Sequence, residues 1–255
     1  MKLHSLIFGQ GGKDLIVLHG FLGMSDNWKS FAKEWSKIGF KVHLIDQRNH
    51  GRSFWSDEFH YDVLAKDLFI YMRDSKISSS IILGHSMGGK VAMNFALNYE
   101  SMVSKLLVID ISPKKYINNN QDILDGLSSL DFNLIKSRKE ADKHLQSYVS
   151  ETSVRNFLLK NIYWKTPNRL ALRMNINVLK KNQDVYNSIT SNNSFYNSTL
   201  FISGEMSDYI NNDDEGKIKS LFPRAEIRRI KKAGHWVHVE NKKDFLLNVE
   251  EFLKL

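Results

Sequence analysis

The sequence predicts an α/β fold, a mostly parallel sheet with helices on both faces and a helical segment inserted between two strands. Three observations carry that expectation. Through residues 1–111, short apolar runs alternate with stretches of helical period. From residue 112 to residue 198 the alternation stops, and roughly 85 residues rich in Asn, Lys and Ser follow, far beyond an ordinary crossover connection. Strand and helix signals then resume to the C-terminus. Residues 1–111 with 199–255 therefore read as one core, and 112–198 as a helical cap, or lid, lying over it.

The elements follow in chain order. Leu3 to Phe8 is a short strand, closed by a turn at Gly9-Gln-Gly-Gly12. Leu15 to His19 is a more apolar strand that runs into Gly20-Phe-Leu-Gly23. Trp28, Phe31, Ala32 and Trp35 stand at helical spacing, with Ser25 or Asp26 as the cap and Gly39 as the stop. Phe40 to Ile45 is the next strand, and Tyr61 to Met72 a helix with Val63, Leu64, Leu68 and Tyr71 on one face. Ile81 to Leu83 is a buried strand and Met87 to Tyr99 a helix, followed by a strand at Leu106 to Ile109. Within the inserted segment, helices are expected at Asp122–Leu130, Arg138–Ser150, Val154–Ile162 and Arg169–Leu179. Leu200 to Ser203 restores a strand. Asp213 to Leu221 is helical, Arg224 to Ile230 is the last strand, and Asp244 to Leu255 is an amphipathic terminal helix.

Composition narrows the function classes. The chain has no cysteine, which removes disulfides, thiolate nucleophiles and Cys-based metal sites. No run approaches the ~18 apolar residues of a membrane-spanning helix, and Met1 to Phe8 carries no long apolar stretch of a signal peptide. A cytoplasmic location is the expectation. The net charge of +8 is spread along the chain without a basic stripe interleaved with aromatics, so nucleic acid is not an expected partner.

Chemistry concentrates between residues 79 and 89. The run Ile81-Ile-Leu83 leads into Gly84-His-Ser-Met-Gly88, and helical period begins at once. A strand, a tight turn flanked by small residues and a helix make Gly-x-Ser-x-Gly a nucleophile elbow, which exposes the Ser86 hydroxyl above the sheet. A serine nucleophile needs a histidine and a carboxylate in a fixed chemical relation, not in one chain order. His235, in Ala233-Gly-His-Trp236 just after the last strand, is the candidate base, with His238 as its rival. Asp110, at the end of the strand following the elbow helix, is the candidate acid, with Asp208 as the alternative. The developing oxyanion needs two preorganised N–H donors. The backbone of Met87 supplies one, and that of Phe21 in His19-Gly-Phe-Leu-Gly23 the other.

These motifs carry a resemblance. His19-Gly-Phe-Leu-Gly23, Asp46-Gln-Arg-Asn-His-Gly-Arg-Ser53, Gly84-His-Ser-Met-Gly-Gly-Lys90, Val108-Ile-Asp-Ile-Ser-Pro113 and Ala233-Gly-His-Trp-Val-His-Val-Glu240 resemble the α/β-hydrolase serine esterases, above all the YbfF-like bacterial branch. The resemblance covers both ends of the chain, with the inserted segment matched only loosely. It implies the α/β-hydrolase fold and a reaction on carboxylic esters and acyl-CoA thioesters. The departure concerns the acid: many members carry Gly-x-x-Asp where this chain has Gly204-Glu-Met-Ser207. The branch it resembles takes the acid from the end of the previous strand, which corresponds to Asp110.

The reading is thus a Ser-His-Asp hydrolase acting on a small acyl ester or thioester through an acyl-enzyme, with no cofactor and no metal. Asp46, Arg48, Asn49, His50 and Arg52 are expected to be structural, Arg48 pairing within its own loop. Leu124, Leu127, Phe157, Leu158 and Trp164 are candidates for an acyl-binding wall. Carbon–carbon hydrolases and cofactor-free haloperoxidases share the triad, and a non-enzymatic ligand receptor can retain one, so all three stay open.

Overall fold

The computed structural model describes residues 1–117, 120–182 and 186–254. Its elements are β1 (Ser5–Phe8), β2 (Lys13–Leu18), α1 (Lys29–Lys37), β3 (Phe40–Ile45), α2 (Tyr61–Asp74), β4 (Ser80–His85), α3 (Met87–Asn98) and β5 (Val103–Ile109). The inserted segment contributes α4 (Gln121–Ser128), α5 (Arg138–Leu145), α6 (Thr152–Leu159), β6 (Ile162–Thr166), β7 (Arg169–Leu172) and α7 (Ile176–Lys181). Then come β8 (Thr199–Gly204), α8 (Asp214–Leu221), β9 (Ala225–Ile230), α9 (Val237–Glu240) and α10 (Lys242–Lys254). Leu255, the expected end of the terminal helix, lies outside the described residues.

Seven strands form one sheet in the order β1-β3-β2-β4-β5-β8-β9, and only β1 runs antiparallel to its neighbour. Strand alternation sends successive side chains to opposite faces. Leu15 and Val17 of β2 therefore join Trp28, Phe31, Trp35, Phe245 and Val249 on one face. Ile16 and Leu18 join Leu68, Met72, Val91 and Phe95 on the other. Strands buried on both sides need continuous apolar runs, which is why these segments read so clearly in sequence.

Register aligns the strand ends that matter. Gly84 sits beside Val108 and His85 beside Ile109, while Ile109 pairs with Ile202. The first residues past β4 and β5 are Ser86 and Asp110. Their amides donate to Ile109 O (2.9 Å) and Ile202 O (2.7 Å), so both emerge at the carboxyl edge of the sheet.

Three expectations need correction. Arg169–Leu179 is not one helix: β6 and β7 form an antiparallel hairpin, and α7 begins only at Ile176. The reason is legible afterwards. Leu170, Leu172 and Met174 recur at every second residue, and Pro167-Asn168 supplies the turn. Helix α6 accordingly stops at Leu159, because Ile162 belongs to the hairpin. Neither Ser25 nor Asp26 caps α1 through its side chain. Residues Ser25–Trp28 form a 3-10 turn ahead of it, where Ser25 N donates to Asp46 Oδ1 (2.6 Å) and Asp26 pairs with Lys29 and Arg52.

Packing is tight at the turn from β4 to α3. A Cβ on Gly84 would fall 2.1 Å from the Gly88 carbonyl oxygen, and one on Gly88 would fall 2.4 Å from Leu18 O. Both contacts are with backbone, which cannot rotate away. Gly84→Ala is therefore expected to lose about 3 kcal/mol of stability in urea denaturation, the upper range for overpacking. Gly216→Ala on α8, where nothing lies within 4 Å of the added carbon, should be neutral or better.

Candidate active site

Ser86 adopts φ 52°, ψ −121°, a backbone conformation costly for a residue with a Cβ. It is held there by its amide bond to Ile109 O and by α3, whose first turn takes the Ser86 carbonyl through Gly89 N (2.8 Å) and Lys90 N (3.1 Å). The hydroxyl consequently stands at the N-terminus of α3. Ser86 Oγ lies 3.0 Å from His235 Nε2, and His235 Nδ1 lies 2.8 Å from Asp110 Oδ2. A carboxylate accepts only, so Nδ1 carries the proton and Nε2 is the acceptor facing the serine.

Asp110 has no solvent exposure and a left-handed backbone of its own, φ 50°. Its oxygens are satisfied three times over: by His235, by Gly204 N on Oδ1 (3.0 Å) and by the Ser207 hydroxyl on Oδ2 (2.5 Å). Asp208, the alternative acid, is solvent-exposed. Ser207 stands where Gly-x-x-Asp would put a carboxylate, and its hydroxyl donates to Asp110 just past β5. The sequence marked that position as a departure without assigning Ser207 a task.

His235 is fixed from other sides as well. Tyr209 stacks on its imidazole, with ring centroids 3.8 Å apart and planes 18° from parallel. Tyr116 stacks in turn on Tyr209 and donates its hydroxyl to Tyr209 O (2.5 Å). His85, the residue before the serine, donates from Nε2 to the His235 carbonyl (3.0 Å). Sequence reasoning missed Tyr209 and Tyr116, since no local motif distinguishes an aromatic in a polar loop.

Met87 opens α3, where a helix amide has no intrahelical acceptor. Phe21 lies in the loop after β2, and Ser86, Met87 and Phe21 line one small cavity. That loop is tightly held. Leu22 takes a left-handed φ of 60°, its amide donates to His50 Nε2 (3.2 Å), and its carbonyl accepts from Asn161 Nδ2 (2.9 Å). His50 is thus wholly buried and braces the Phe21 loop. Asp46 gathers His4, Ser25 N and Arg52 N. Arg48 departs from expectation, because its main partner is not in its own loop: it grips Asp67 of α2 through two bonds of 2.6 and 2.8 Å. Asn49 N donates to Phe54 O, and Asn49 O accepts from Asn175 N of the inserted segment.

Lys90 is fully buried on α3. Its ammonium donates to Lys114 O (2.8 Å) and Asn187 O (2.6 Å), one carbonyl near each end of the inserted segment, and lies 4.6 Å from the centre of the Tyr116 ring. Burial, with Lys217 adding repulsion, lowers its pKa to about 7.

The serine opens onto a cavity of about 760 Å³ between the sheet edge and α6, in the range of small-molecule sites. Trp28, Phe157, Trp236 and Val239 give it apolar walls. Of the candidates for an acyl-binding wall, Phe157 and Leu158 line this cavity, Leu124 and Leu127 are buried in the core, and Trp164 is half exposed. His238, the rival base, also lines it, but stacks on Trp28 at 4.3 Å. Among the described residues no set of three or more His, Asp or Glu is arranged to hold a metal. Nor is any described helix long and apolar enough to cross a membrane.

A family model described as alpha/beta hydrolase fold matches residues 14–242. The chain belongs to the alpha/beta hydrolase fold family. The sn-1-specific diacylglycerol lipase ABHD11 of Danio rerio is 34% identical over 248 residues, 94% of this chain and 78% of that protein. Esterase YbfF of Escherichia coli is 28% identical over 246 residues, 94% of this chain and 92% of that protein. A solved structure described as a marine microorganism esterase superposes with a TM-score of 0.95 at 39% identity, covering 98% of this chain and 99% of that one. The fold class and the resemblance read from the sequence are thereby established.

Two outcomes follow from this geometry. Asp110→Asn should lower ester turnover by several orders of magnitude and Asp208→Asn by less than about tenfold, measured as kcat on a chromogenic ester. Comparable losses in both variants would remove Asp110 from its special place. The second concerns acid stability. Burial, then the neighbouring His235, lowers the His238 pKa to about 3, while burial, then His19, does the same for His50. Between about pH 6.5 and 3 the unfolded chain takes up protons that these folded imidazoles refuse, so stability falls as pH falls, by up to about 1.4 kcal/mol per unit for each group. His238→Phe should flatten the fall of the urea midpoint between pH 6.5 and 4.5. An unchanged slope would show that His238 titrates alike in both states.

Proposed function

We propose that this chain is a carboxylic ester hydrolase working through Ser86, His235 and Asp110 and an acyl-enzyme. The observation that carries the reading is the unbroken hydrogen-bonded chain from buried Asp110 through His235 to a strained serine facing a cavity. Esterase and lipase relatives over nearly the whole chain support the same chemistry.

Ser86 Oγ attacks the substrate carbonyl as His235 Nε2 takes its proton. Asp110 keeps the imidazole in the productive tautomer and stabilises its cationic form. Phe21 N–H and Met87 N–H stabilise the oxyanion. His235 then returns the proton to the departing oxygen or sulfur, and water repeats the sequence on the acyl-enzyme. Because the proton reaches either atom, acyl-CoA thioesters belong to the same reading as esters. Residues 112–198 serve as a cap over the site, and the natural setting is the cytoplasm, with small acyl compounds and not nucleic acid as partners.

Ser86→Ala tests the mechanism. It should fold as the parent does, judged by circular dichroism, and lose about three or more orders of magnitude in turnover of p-nitrophenyl esters. Near-parental activity would dismiss the serine mechanism. A burst of nitrophenol equal to the enzyme concentration, followed by steady turnover, separates an enzyme from a ligand receptor on the same fold, which would bind without turnover.

A further inference from the structure

Ser86 stands between two compartments of very different size. Besides the 760 Å³ cavity, a second of about 40 Å³ lies on its other side, walled by Tyr61, Met87, Ile111, Tyr116 and Tyr186. Phe21, Ser86, Asn120 and Tyr209 border both, whereas His235 borders only the large one and Met87 only the small one. We infer that the small compartment receives the acyl group and the large one the leaving group, so that the substrates are short-chain acyl esters of bulky, largely apolar alcohols. This deepens the ester-hydrolase reading and rests on it.

Proton flow fixes the assignment. In acylation the bond from Ser86 Oγ to the carbonyl carbon forms and the bond from that carbon to the leaving oxygen breaks. The proton taken from Ser86 by His235 Nε2 must end on that leaving oxygen, giving a neutral alcohol. The oxygen must therefore lie within hydrogen-bond reach of Nε2. His235 forms a wall of the large cavity, so the alcohol part points there, among Trp28, Phe157 and Trp236. The remaining substituent of the carbonyl carbon, the acyl chain, lies on the side away from the imidazole. Water then attacks the acyl-enzyme from the vacated large cavity and releases a short carboxylic acid.

Size and stiffness set the chain length. One water-sized group needs roughly 10–15 Å³ on this measure, so 40 Å³ holds about three, which limits the acyl group to about two to four carbons. Its tyrosine walls are braced against widening. Lys90 Nζ lies 4.6 Å from the Tyr116 ring centre and 5.7 Å from that of Tyr61. Tyr116 N donates to Tyr186 O (2.8 Å), and Tyr186 meets Phe21 edge-on with centroids 6.4 Å apart. The large cavity has no such limit and accepts a leaving group of many carbons.

The test is kcat/KM of the full chain on 1-naphthyl acetate, butyrate, octanoate and palmitate, with ethyl acetate as the small-alcohol control. Acetate and butyrate should exceed octanoate by at least about tenfold, and 1-naphthyl acetate should exceed ethyl acetate, after correction for the intrinsic reactivity of each ester. Tyr186→Ala, which opens the small compartment, should raise the ratio of octanoate to acetate at least about tenfold. An optimum at octanoate or palmitate in the parent protein, with hydrolysis abolished by Ser86→Ala, would overturn the assignment while leaving the ester-hydrolase reading intact. No hydrolysis of any of the five esters would overturn both. The parent series decides the matter even if Tyr186→Ala fails to fold.

Discussion

The contact between β4 and α3 is the constraint on which the site depends. Gly84 lets the Gly88 carbonyl of α3 approach β4, and Gly88 lets the Leu18 carbonyl of β2 approach α3, each closer than a Cβ permits, and the serine between them has nowhere to relax. Its left-handed backbone is stable only because flanking elements over-determine it. That is why the apolar runs of β2, β4 and β5 matter to chemistry. They hold the turn rigid, so the Ser86 hydroxyl meets His235 without first being ordered.

The same logic recurs at Asp110. Asp110 also has a positive φ, it also ends a central strand, and its amide is tied to the next strand. A carboxylate at the edge of β5 and a histidine beyond β9 meet because β8 lies between their strands and supplies Gly204 N and Ser207 as further donors. In the loop after β8 the Ser207 hydroxyl donates to that carboxylate.

What the sequence made legible follows from these facts. Strands buried on both faces announce themselves as apolar runs, and a serine between small residues at a strand-to-helix turn is a local pattern. Ser86, His235 and Asp110 therefore stood out as candidates, and the structure brings the three side chains together. The β6–β7 hairpin did not stand out, because strands of five and four residues on a half-exposed surface share their spacing with short helices. Tyr209 and Tyr116 were hidden for a different reason. Their importance lies in stacking across the fold, between residues 26 and 93 positions apart in chain, which no window of sequence contains. Arg48 was read as local and proved to span from a loop to α2, since a long guanidinium finds the partner that burial leaves it.

Lys90 has a topological consequence. By drawing Lys114 and Asn187 to one ammonium, it brings the departure and return points of the inserted segment together beside the elbow helix. A chain excursion whose ends are already joined imposes little on the body it leaves. Lengthening a flexible excursion of this kind costs only about 0.6 kcal/mol per doubling. The strand order of the sheet can thus remain constant while that segment is shortened or extended. One buried side chain thus ties both ends of the segment to the elbow helix, while Tyr116, Phe157 and Asn161 of that segment still border or brace the surroundings of Ser86.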